Sequence, residues 1–376
     1  MPPPRLVLDA HTLRMIAISF VLLSALSIHR LWFADPPSTT DVLILEGETM
    51  GTTWEIRVAG DGLNERLRRD VRTMADERLA QVDGWMPNWN PESDVSRFNA
   101  ARTTDPVPVA YETGAVVAYA VEVAKWTGGA FDVSVGPLVR LWGFGHRARL
   151  GEPPTDAEID EALSRMGARL MRVGRGSPAT GSFLRKSVPE LEIDLSAIAK
   201  GYGVDHLADG LLALERTNFM VEIGGEVYAS GERAGGGPWQ IAIEQPLEDG
   251  RAIQAIVGLT DQAMASSGDY RIFYREGDAR ISHTIDPRTG RPVVEGPAAV
   301  TVVAPSTTQA DAWATAIMVL GAEDGLALAE QWRIGAMALL RDEDGGIVEL
   351  RNALFPETRA ATTSPALDPA PADPNS

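Results

Sequence analysis

Cysteine is absent from the 376 residues of this sequence. Its absence excludes disulfides, thiolate nucleophiles, and zinc or iron–sulfur sites with cysteine ligands. Basic charge is also scarce: the formal net charge is −18, the isoelectric point is near 4.7, and no run of lysine or arginine occurs. A nucleic-acid partner is therefore not expected, because phosphate backbones are bound by clustered cationic side chains. An anionic ligand would have to be held by a metal ion or by a few individual cations.

Long hydrophobic runs are lacking too, and the N-terminal apolar stretch, residues 15–28, is short for a transmembrane helix. It follows Arg5 and Arg14, the basic-then-apolar order of an export signal. We predict that residues 1–34 form an uncleaved anchor in the inner membrane with the rest of the chain facing the periplasm, because no small-x-small cleavage site follows directly. Removal of a signal peptide and export to the periplasm is the alternative. Residues 35–43 are predicted to be a linker.

Between residues 44 and 353, segments with helical and with strand periodicity alternate without a repeat. This pattern predicts an α+β fold, a single compact domain of mixed sheets with packed helices. Residues 354–376, rich in Ala, Pro and Thr, are predicted to form a disordered tail. The predicted helices are 63–82, 111–127, 155–166, 196–214 and 306–320, and the predicted strands are 52–58, 191–195, 219–223 and the hairpins 239–259 and 336–350. Loops are predicted at 85–99 and 174–182, and a polar turn at 266–271.

Residues 282–292, Ser-His-Thr-Ile-Asp-Pro-Arg-Thr-Gly-Arg-Pro, combine an imidazole, a carboxylate and two guanidinium groups in one turn-rich segment. Its prolines fix φ, and Gly290 is expected to be left-handed, which predicts a stiff loop. His283 precedes this loop at the expected end of a strand. Such a loop is typical of a catalytic site on a rigid scaffold, although a structural surface turn has the same signature.

A second candidate lies on helix 306–320. Asp311 and Thr315 are four residues apart, so they share one face of the helix, and the alanines around them permit close approach. A carboxylate and a hydroxyl in that arrangement suit Mg²⁺, which prefers oxygen ligands and keeps phosphate oxygens in its shell. The alternative is an alanine-rich core helix whose aspartate merely faces solvent.

Two other segments each allow two interpretations. Residues 131–145 surround Asp132 with aromatic residues and glycines, so they either line a flat ring or form a corner of the core. Asp194 lies near the end of a predicted strand, and Lys200 follows in the first turn of a helix. This junction is either a phosphate site at a helix N-terminus or a helix capped by Asp194.

Taken together, these segments resemble the ApbE family, the FAD:protein FMN transferases. The resemblance rests on motifs that occur in the family's order and cover nearly all of the folded part: 50–52, 91–99, 129–145, 194–205, 222–226, 267–270, 282–292 and 310–315. It implies transfer of the FMN half of FAD to a Thr or Ser hydroxyl of a target protein, with AMP as the leaving group and Mg²⁺ as the cofactor. The expected target is a membrane or exported electron-transfer flavoprotein.

By similarity, the resemblance also implies site residues. Those that would contact the flavin nucleotide are Met50, Ala130, Phe131, Asp132, Asp194, Lys200 and Ile285. Those that would bind Mg²⁺ are Asp311 and Thr315 by their side chains and Ala197 by its backbone carbonyl. Trp89 stands where the family often has a tyrosine against the flavin, and it can stack but has no hydroxyl.

A catalytic role for His283, as the base that activates the acceptor hydroxyl, is our own assignment. His146 and His206 are expected to be structural. The same residues would also fit an FAD pyrophosphatase that uses water and releases FMN and AMP, or a flavin-binding module without chemistry. Many family members carry a lipobox cysteine, and its absence leaves membrane attachment to the N-terminal apolar run.

Overall fold

A computed structural model of the protein describes residues 42–144, 153–247, 250–269, 273–276, 279–342 and 344–360. The predicted anchor at 1–34, the first part of the linker and His146 lie outside these ranges. Within them, no helix is both long enough and apolar enough to cross a membrane.

Eighteen strands form one large sheet and four small ones in the described ranges. Their bounds are β1 (Val42–Thr49), β2 (Thr52–Ala59), β3 (Val107–Val109), β4 (Met171–Ser177), β5 (Gly181–Lys186), β6 (Phe219–Ile223), β7 (Glu226–Ser230), β8 (Trp239–Glu244), β9 (Ile253–Leu259), β10 (Gln262–Gly268), β11 (Phe273–Glu276), β12 (Ala279–Ser282), β13 (Ile285–Asp286), β14 (Arg291–Pro292), β15 (Ala299–Ala304), β16 (Gly335–Arg341), β17 (Ile347–Arg351) and β18 (Thr358–Arg359). The large sheet has the antiparallel order β1-β2-β6-β7-β10-β15-β16-β17. The small sheets are β3-β5-β4, β8-β9-β18, β11-β12 and β13-β14.

Eight α-helices surround these sheets in the part of the chain that is described. Their bounds are α1 (Glu65–Trp85), α2 (Asp94–Ala100), α3 (Tyr111–Trp126), α4 (Gly136–Leu141), α5 (Asp156–Ser164), α6 (Ala199–Ala213), α7 (Thr307–Leu320) and α8 (Ala322–Gln331). Segregated helices on antiparallel sheets define an α+β architecture.

Strand β15 shows how the core is layered. All six of its residues are buried, and successive side chains point to opposite faces of the sheet. Val300 and Val302 pack with α7 on one face, while Ala299 and Val303 pack with the β8-β9 hairpin on the other. Because the strand is covered on both faces, five of its six residues are apolar, and the exception, Thr301, is buried.

Helices α6 and α7 cross closely because Gly201 has no side chain. A Cβ atom on Gly201 would lie 2.4 Å from the carbonyl oxygen of Thr307 and 2.9 Å from the Cβ of Asp311. Asp205, one turn further along α6, accepts hydrogen bonds from the N–H groups of Thr307 (2.7 Å) and Thr308 (2.8 Å). The first turn of α6 is thereby fixed against α7.

Most predicted elements are confirmed by the structure. The helices predicted at 63–82, 111–127, 155–166 and 306–320 correspond to α1, α3, α5 and α7, and Ser306 caps α7 as expected. Thr155 forms the predicted capping box with Glu158. The strands 52–58 and 219–223 and the two predicted hairpins are also present.

Several predicted boundaries are wrong. The loop expected at 174–182 is the β4-β5 hairpin, whose alternation is hidden by a register shift between Gly174 and Ser177. The polar turn expected at 266–271 begins inside β10, which runs to Gly268. The helix expected from 196 begins at Ala199. Residues 358–359, expected in a disordered tail from 354, form β18 and pair with β9, while residues 361–376 lie outside the described ranges.

The loop predicted at 85–99 contains helix α2. Ser93 caps this helix by accepting from the N–H of Ser96 at 3.0 Å, and Val95 and Phe98 bury its apolar face. The signal was present in the sequence, because a Ser-Asp cap followed by apolar residues three apart is a helix start. The segment is only seven residues long, and its many polar residues masked the signal.

The strand predicted at 191–195 does not belong to any sheet of the described residues. Its apolar residues Leu191, Ile193 and Leu195 are buried as the alternation implied. Its backbone, however, is hydrogen-bonded to side chains rather than to another strand. Alternating burial therefore predicted which residues point inward but not their partners.

Candidate active site

The crossing of α6 and α7 forms the centre of the site, and we call it the helix junction (residues 197–201 and 311–315). Asp311 is buried, with 3% of its surface exposed, and its Oδ2 accepts a hydrogen bond from the N–H of Gly201 at 3.0 Å. Gly201 is in the first turn of α6, where an N–H has no partner within the helix, and Asp311 supplies that partner. Ala197 precedes the N-cap residue Ile198, so its carbonyl lies outside the hydrogen bonds of the helix. Thr315, one turn beyond Asp311 on α7, is partly exposed.

Lys200 lies at the same junction among several carboxylates. Its Nζ is 2.6 Å from Oε1 of Glu226, which is 2% exposed. Burial lowers the pKa of Lys200, but the negative charges of Asp311, Glu226 and Glu222 outweigh it and hold this pKa above its ordinary value. Lys200 is therefore a cation at neutral pH.

Glu226 binds Lys200 through only one of its two carboxylate oxygens, Oε1. The other oxygen, Oε2, is buried without a hydrogen-bond partner among the described residues. Burial is the main cause that raises the pKa of Glu226; Lys200 acts against this rise, and Asp311 adds to it. Asp311, Glu226 and Glu222 are thus all close enough to Lys200 to act on its pKa.

These features fit a hard divalent cation. The available donors are the carboxylate of Asp311, the hydroxyl of Thr315 and the carbonyl of Ala197, all of them oxygen atoms. Mg²⁺ prefers such ligands and completes its shell with water and substrate phosphates. In the described ranges, no group of three or more Asp, Glu, His or Cys side chains could hold a metal ion. The protein alone would therefore supply only a few ligands to a metal ion. That sparseness suits Mg²⁺ shared with a nucleotide better than a dedicated all-protein cage.

Asp194 does not cap α6. Its Oδ1 accepts from the N–H of Ser196 at 2.9 Å, and its Oδ2 accepts from Nδ2 of Asn88 at 2.8 Å. The helical N–H of Gly201 is satisfied by Asp311 instead. The structure therefore rejects the interpretation in which Asp194 receives the N–H groups of the helix, and a phosphate site at this N-terminus stays a prediction.

The segment 130–133 lies directly beside Asp194. The N–H of Asp194 donates to the carbonyl of Val133 at 2.7 Å. Ala130 and Phe131 are buried, and Phe131 packs in the core with Ile193. The ring of Phe131 thus belongs to the core corner rather than to the lining of a site. A contact of this residue with a flavin would have to use its backbone.

Asp132 uses both carboxylate oxygens within the protein. Oδ1 accepts from the N–H (2.8 Å) and the hydroxyl (2.6 Å) of Ser134, and Oδ2 accepts from the N–H of Ala168 at 2.7 Å. A cavity of about 720 Å³ borders Asp132, with Lys125, Arg169 and Arg172 also in its lining. The other predicted site residues do not line this cavity, so it lies to one side of the helix junction.

The segment 282–292, which we call the His loop, has the turn geometry on which the prediction of a stiff loop was based. Gly290 adopts the expected positive φ of 71°, and its N–H donates to the carbonyl of Asp286 at 2.8 Å. The carboxylate of Asp286 pairs with Arg288 at 2.9 Å. Nε1 of Trp142 donates to the carbonyl of Gly290 at 2.7 Å, which fastens the loop to the residues after α4.

His283 directly follows β12, as predicted. Its ring meets the ring of Phe144 edge-on, with centroids 6.3 Å apart. Ile285 is buried in one hydrophobic cluster with Phe144 and Trp142. A Cβ on Gly129 would lie 3.6 Å from Cγ of Arg288, so the His loop also borders the start of segment 130–133.

The remaining predicted residues lie near the same elements. Met50, with a φ of 50°, occupies the turn between β1 and β2 and packs onto α6 at Gly203. Trp89 is 57% exposed, and its neighbour Asn88 holds Asp194. The exposed indole is free to stack against a planar ligand.

His206 makes the contacts of a structural residue. Its ring stacks on Tyr202 at 5.5 Å and lies 5.6 Å from the ring of Trp85. Its Nε2 is 2.8 Å from Oε1 of Gln81, and its Nδ1 is 3.1 Å from a guanidinium nitrogen of Arg78. These contacts agree with the structural role expected for it.

Sequence reasoning missed two contributors. Glu226 holds Lys200, and the double glycine at 224–225 just before it was the available signal of a close backbone approach. Asn88 holds Asp194 from a loop position that no periodicity or spacing marks. Tertiary contacts of this kind leave no pattern in a single sequence.

Fold and candidate site together define the class of protein: an α+β protein with a cluster of oxygen donors at a helix crossing and a separate turn-rich loop that carries a histidine. A family model, described as the ApbE family, matches residues 50–340. The chain belongs to the ApbE family.

Individual relatives agree with this membership. An FAD:protein FMN transferase of Haemophilus influenzae is 38% identical over 316 residues, which cover 84% of this chain and 91% of the relative. The solved structure of the flavin transferase ApbE from Vibrio cholerae has a TM-score of 0.74 at 39% identity and covers 84% of this chain and 98% of that one. The apo form of the flavinyl transferase ApbE from Pseudomonas stutzeri has a TM-score of 0.73 at 35% identity and covers 83% and 95%.

Proposed function

We propose that this member of the ApbE family transfers the FMN moiety of FAD to a Thr or Ser hydroxyl of an acceptor protein, in a reaction that needs Mg²⁺ and releases AMP. Relatives that align with most of the chain carry the name FAD:protein FMN transferase. The observation that carries the proposal for this chain is the helix junction, where the buried Asp311 accepts from the Gly201 N–H in the first turn of α6, shortly after Ala197.

The substrate would be held by this chain's own charged groups. Asp311, Thr315 and the Ala197 carbonyl would bind Mg²⁺, which supplies charge neutralisation on the pyrophosphate. Lys200, kept cationic by its carboxylate neighbours, supplies the positive charge of the protein itself at this place. Trp89 would stack on the isoalloxazine ring.

The transfer is a displacement at phosphorus. The acceptor hydroxyl oxygen forms a bond to the phosphorus of the FMN half while the bond from that phosphorus to the bridging oxygen breaks. AMP leaves with the bridging oxygen and the electron pair of the broken bond. His283 takes the hydroxyl proton at one ring nitrogen, a role that suits an imidazole near neutral pH. The stiff His loop would hold that ring in place.

An FAD pyrophosphatase is the competing function, because water would use the same site and give FMN and AMP. A binding module without chemistry is the third. Incubation with FAD, Mg²⁺ and a Thr-containing acceptor, followed by separation of nucleotides and mass analysis of the acceptor, distinguishes all three. Flavin on the acceptor supports transfer, free FMN alone supports hydrolysis, and unchanged FAD supports the binding module.

The His283→Ala variant tests the proposed base, with His206→Gln as the matched control. We expect the first to lose transfer while it still binds FAD, and the second to retain transfer. If the two variants transferred FMN equally well, His283 would not be the base.

We further propose that residues 1–34 anchor the protein in the inner membrane with the domain facing the periplasm, and that the acceptor is a membrane or exported electron-transfer flavoprotein. The basic-then-apolar order of residues 1–34 supports the first proposal. The second follows from the first, since enzyme and acceptor must meet in one compartment.

A further inference from the structure

Residues 191–195 cross the core in an extended conformation without a neighbouring strand among the described residues. Leu191, Ile193 and Leu195 are buried, so water does not satisfy the backbone between them. Buried peptide groups need hydrogen-bond partners. The N–H groups of Leu191 and Asp194 donate to the backbone carbonyls of Val188 and Val133, and two side chains supply partners for the Leu191 carbonyl and for both polar groups of Ile193.

Asn99 takes the place of a strand. Its Nδ2 donates to the carbonyl of Ile193 at 2.8 Å, and its Oδ1 accepts from the N–H of Ile193, also at 2.8 Å. One primary amide therefore satisfies both polar groups of one peptide residue, as an antiparallel neighbour does in a sheet. This pairing fixes the orientation of Ile193 and of its successor, Asp194.

Lys186 fixes the same segment two residues earlier. Its side chain is completely buried, and its Nζ donates to the carbonyls of Leu191 and Phe98, each at 2.9 Å. The ammonium also lies 4.6 Å from the centroid of the Phe98 ring. Burial is the main reason that the pKa of Lys186 is lowered to about 8. Burying an ammonium without hydrogen-bond partners costs free energy, so the two hydrogen bonds from Lys186 to carbonyl oxygens are needed to offset that cost.

Both side chains are tied to α2, which is itself held rigidly. Phe98 and Asn99 belong to α2, and Asp94 in its first turn is buried. The Oδ2 of Asp94 accepts from the N–H of Ala110 and from the hydroxyl of Thr113, each at 2.7 Å. The segment 191–195 is thus attached to a fixed support.

We propose that Asn99 and Lys186, which we call the clamp, are positioning residues of the active site. The last residue that the clamp bonds is Ile193, one residue before Asp194 and four before Ala197. The clamp therefore determines where Asp194 would contact the flavin nucleotide and where Ala197 would present its carbonyl to Mg²⁺. Neither clamp residue touches substrate. The inference rests on the proposed function, because it concerns the same site.

The test compares the half-buried Asn99 with the buried Asn352, because the side-chain amide of each bonds one backbone N–H and one backbone carbonyl. Asn352 accepts from the N–H of Ala336 at 3.1 Å and donates to the carbonyl of Ile334 at 2.9 Å, in a part of the fold that holds no predicted site residue. FAD affinity in the presence of Mg²⁺ is measured by flavin fluorescence, well below each variant's unfolding temperature. We expect Asn99→Ala to weaken FAD binding about tenfold or more, by analogy with residues that orient ligands in other sites. Asn352→Ala should lower the unfolding temperature comparably and leave FAD affinity unchanged.

A second pair of variants covers the case in which Asn99→Ala does not fold. Asn99→Asp keeps the acceptor for the Ile193 N–H and loses the donor. Lys186→Met keeps the unbranched stem and loses the ammonium. Both should weaken FAD binding and raise the Mg²⁺ concentration needed for half-maximal binding.

The proposal is overturned if the clamp variants bind FAD as tightly as Asn352→Ala does. That outcome is distinct from failure of the proposed function, which would appear as absent transfer by the unaltered protein. Binding is measured without an acceptor, so the two results are independent.

Discussion

At the scale of single residues, Asp311 has two roles that can be separated. As a hydrogen-bond acceptor it satisfies the Gly201 N–H, and as an anion it acts on Lys200 and helps to raise the pKa of that ammonium. An asparagine can keep the first role and lose the second, so the structural and the ionic contributions can be tested apart.

We expect Asp311→Asn to fold with nearly unchanged stability and to lose transfer about a hundredfold or more, because the only charged metal ligand is gone. The measurement is the transfer rate against Mg²⁺ concentration. A variant with the rate and Mg²⁺ dependence of the unaltered protein would contradict the metal assignment.

His206 gives a prediction for stability rather than activity. Burial, with the charge of Arg78 as the second cause, lowers its pKa from 6.5 to about 4. Between these values the unfolded chain binds a proton that the folded chain does not, so stability falls as the pH falls through this window. Above pH 6.5 the contribution is fully present.

The loss attributable to His206 at pH 5 should be on the order of 1–2 kcal/mol. It is measured as the difference in unfolding free energy between pH 7 and pH 5, for the unaltered protein and for His206→Gln. The variant should show the smaller decrease. Equal decreases would mean that the neutral form of His206 is not favoured by folding.

At the scale of elements, the sequence predicted periodic helices and hairpins well and irregular segments poorly. Helices α1, α3 and α7 have long apolar faces or clear caps, so local physics determines them. Residues 191–195 have the alternation of a strand but find their partners in Asn99 and Lys186. A hydrogen-bond partner distant in the chain cannot be read from local periodicity.

The α6–α7 crossing gives a prediction at this scale. Gly201→Ala places a Cβ 2.4 Å from the Thr307 carbonyl oxygen, so the helices must separate. We expect a loss of about 1–3 kcal/mol in unfolding free energy and weaker Mg²⁺ binding.

Gly84→Ala is the matched control, because a Cβ there meets nothing within 4 Å. It should stabilise α1 by roughly 0.5 kcal/mol. The unfolding free energies of both variants are measured by denaturant unfolding. Similar changes in the two variants would mean that the α6–α7 crossing tolerates a side chain at residue 201.

At the scale of the whole molecule, the candidate site is assembled from segments far apart in the chain. Met50, Asp194, Ile285 and Asp311 come from four separate regions. Single motifs indicated the chemistry of each piece, and the order of the motifs indicated the family. The sequence could not show that Asp311 rather than Asp194 takes an N–H of α6, because that depends on how closely two helices cross.

The predicted anchor contains no predicted site residue, since the first of these in the sequence is Met50. A chain without residues 1–34 should therefore bind FAD with unchanged affinity and move from the membrane fraction to the soluble fraction. Fractionation of cells that express either form is the measurement. Equal distribution of the two forms would contradict the anchor.

In the proposed reaction, FMN passes from FAD to a protein hydroxyl at the helix junction. Its most direct measurement is the number of FMN adducts on a purified acceptor, by intact mass, relative to the AMP released in the same tube with Mg²⁺ present. We predict one adduct for each AMP, and neither product with Asp311→Asn. Release of AMP with free FMN and an unmodified acceptor would contradict transfer to a protein hydroxyl.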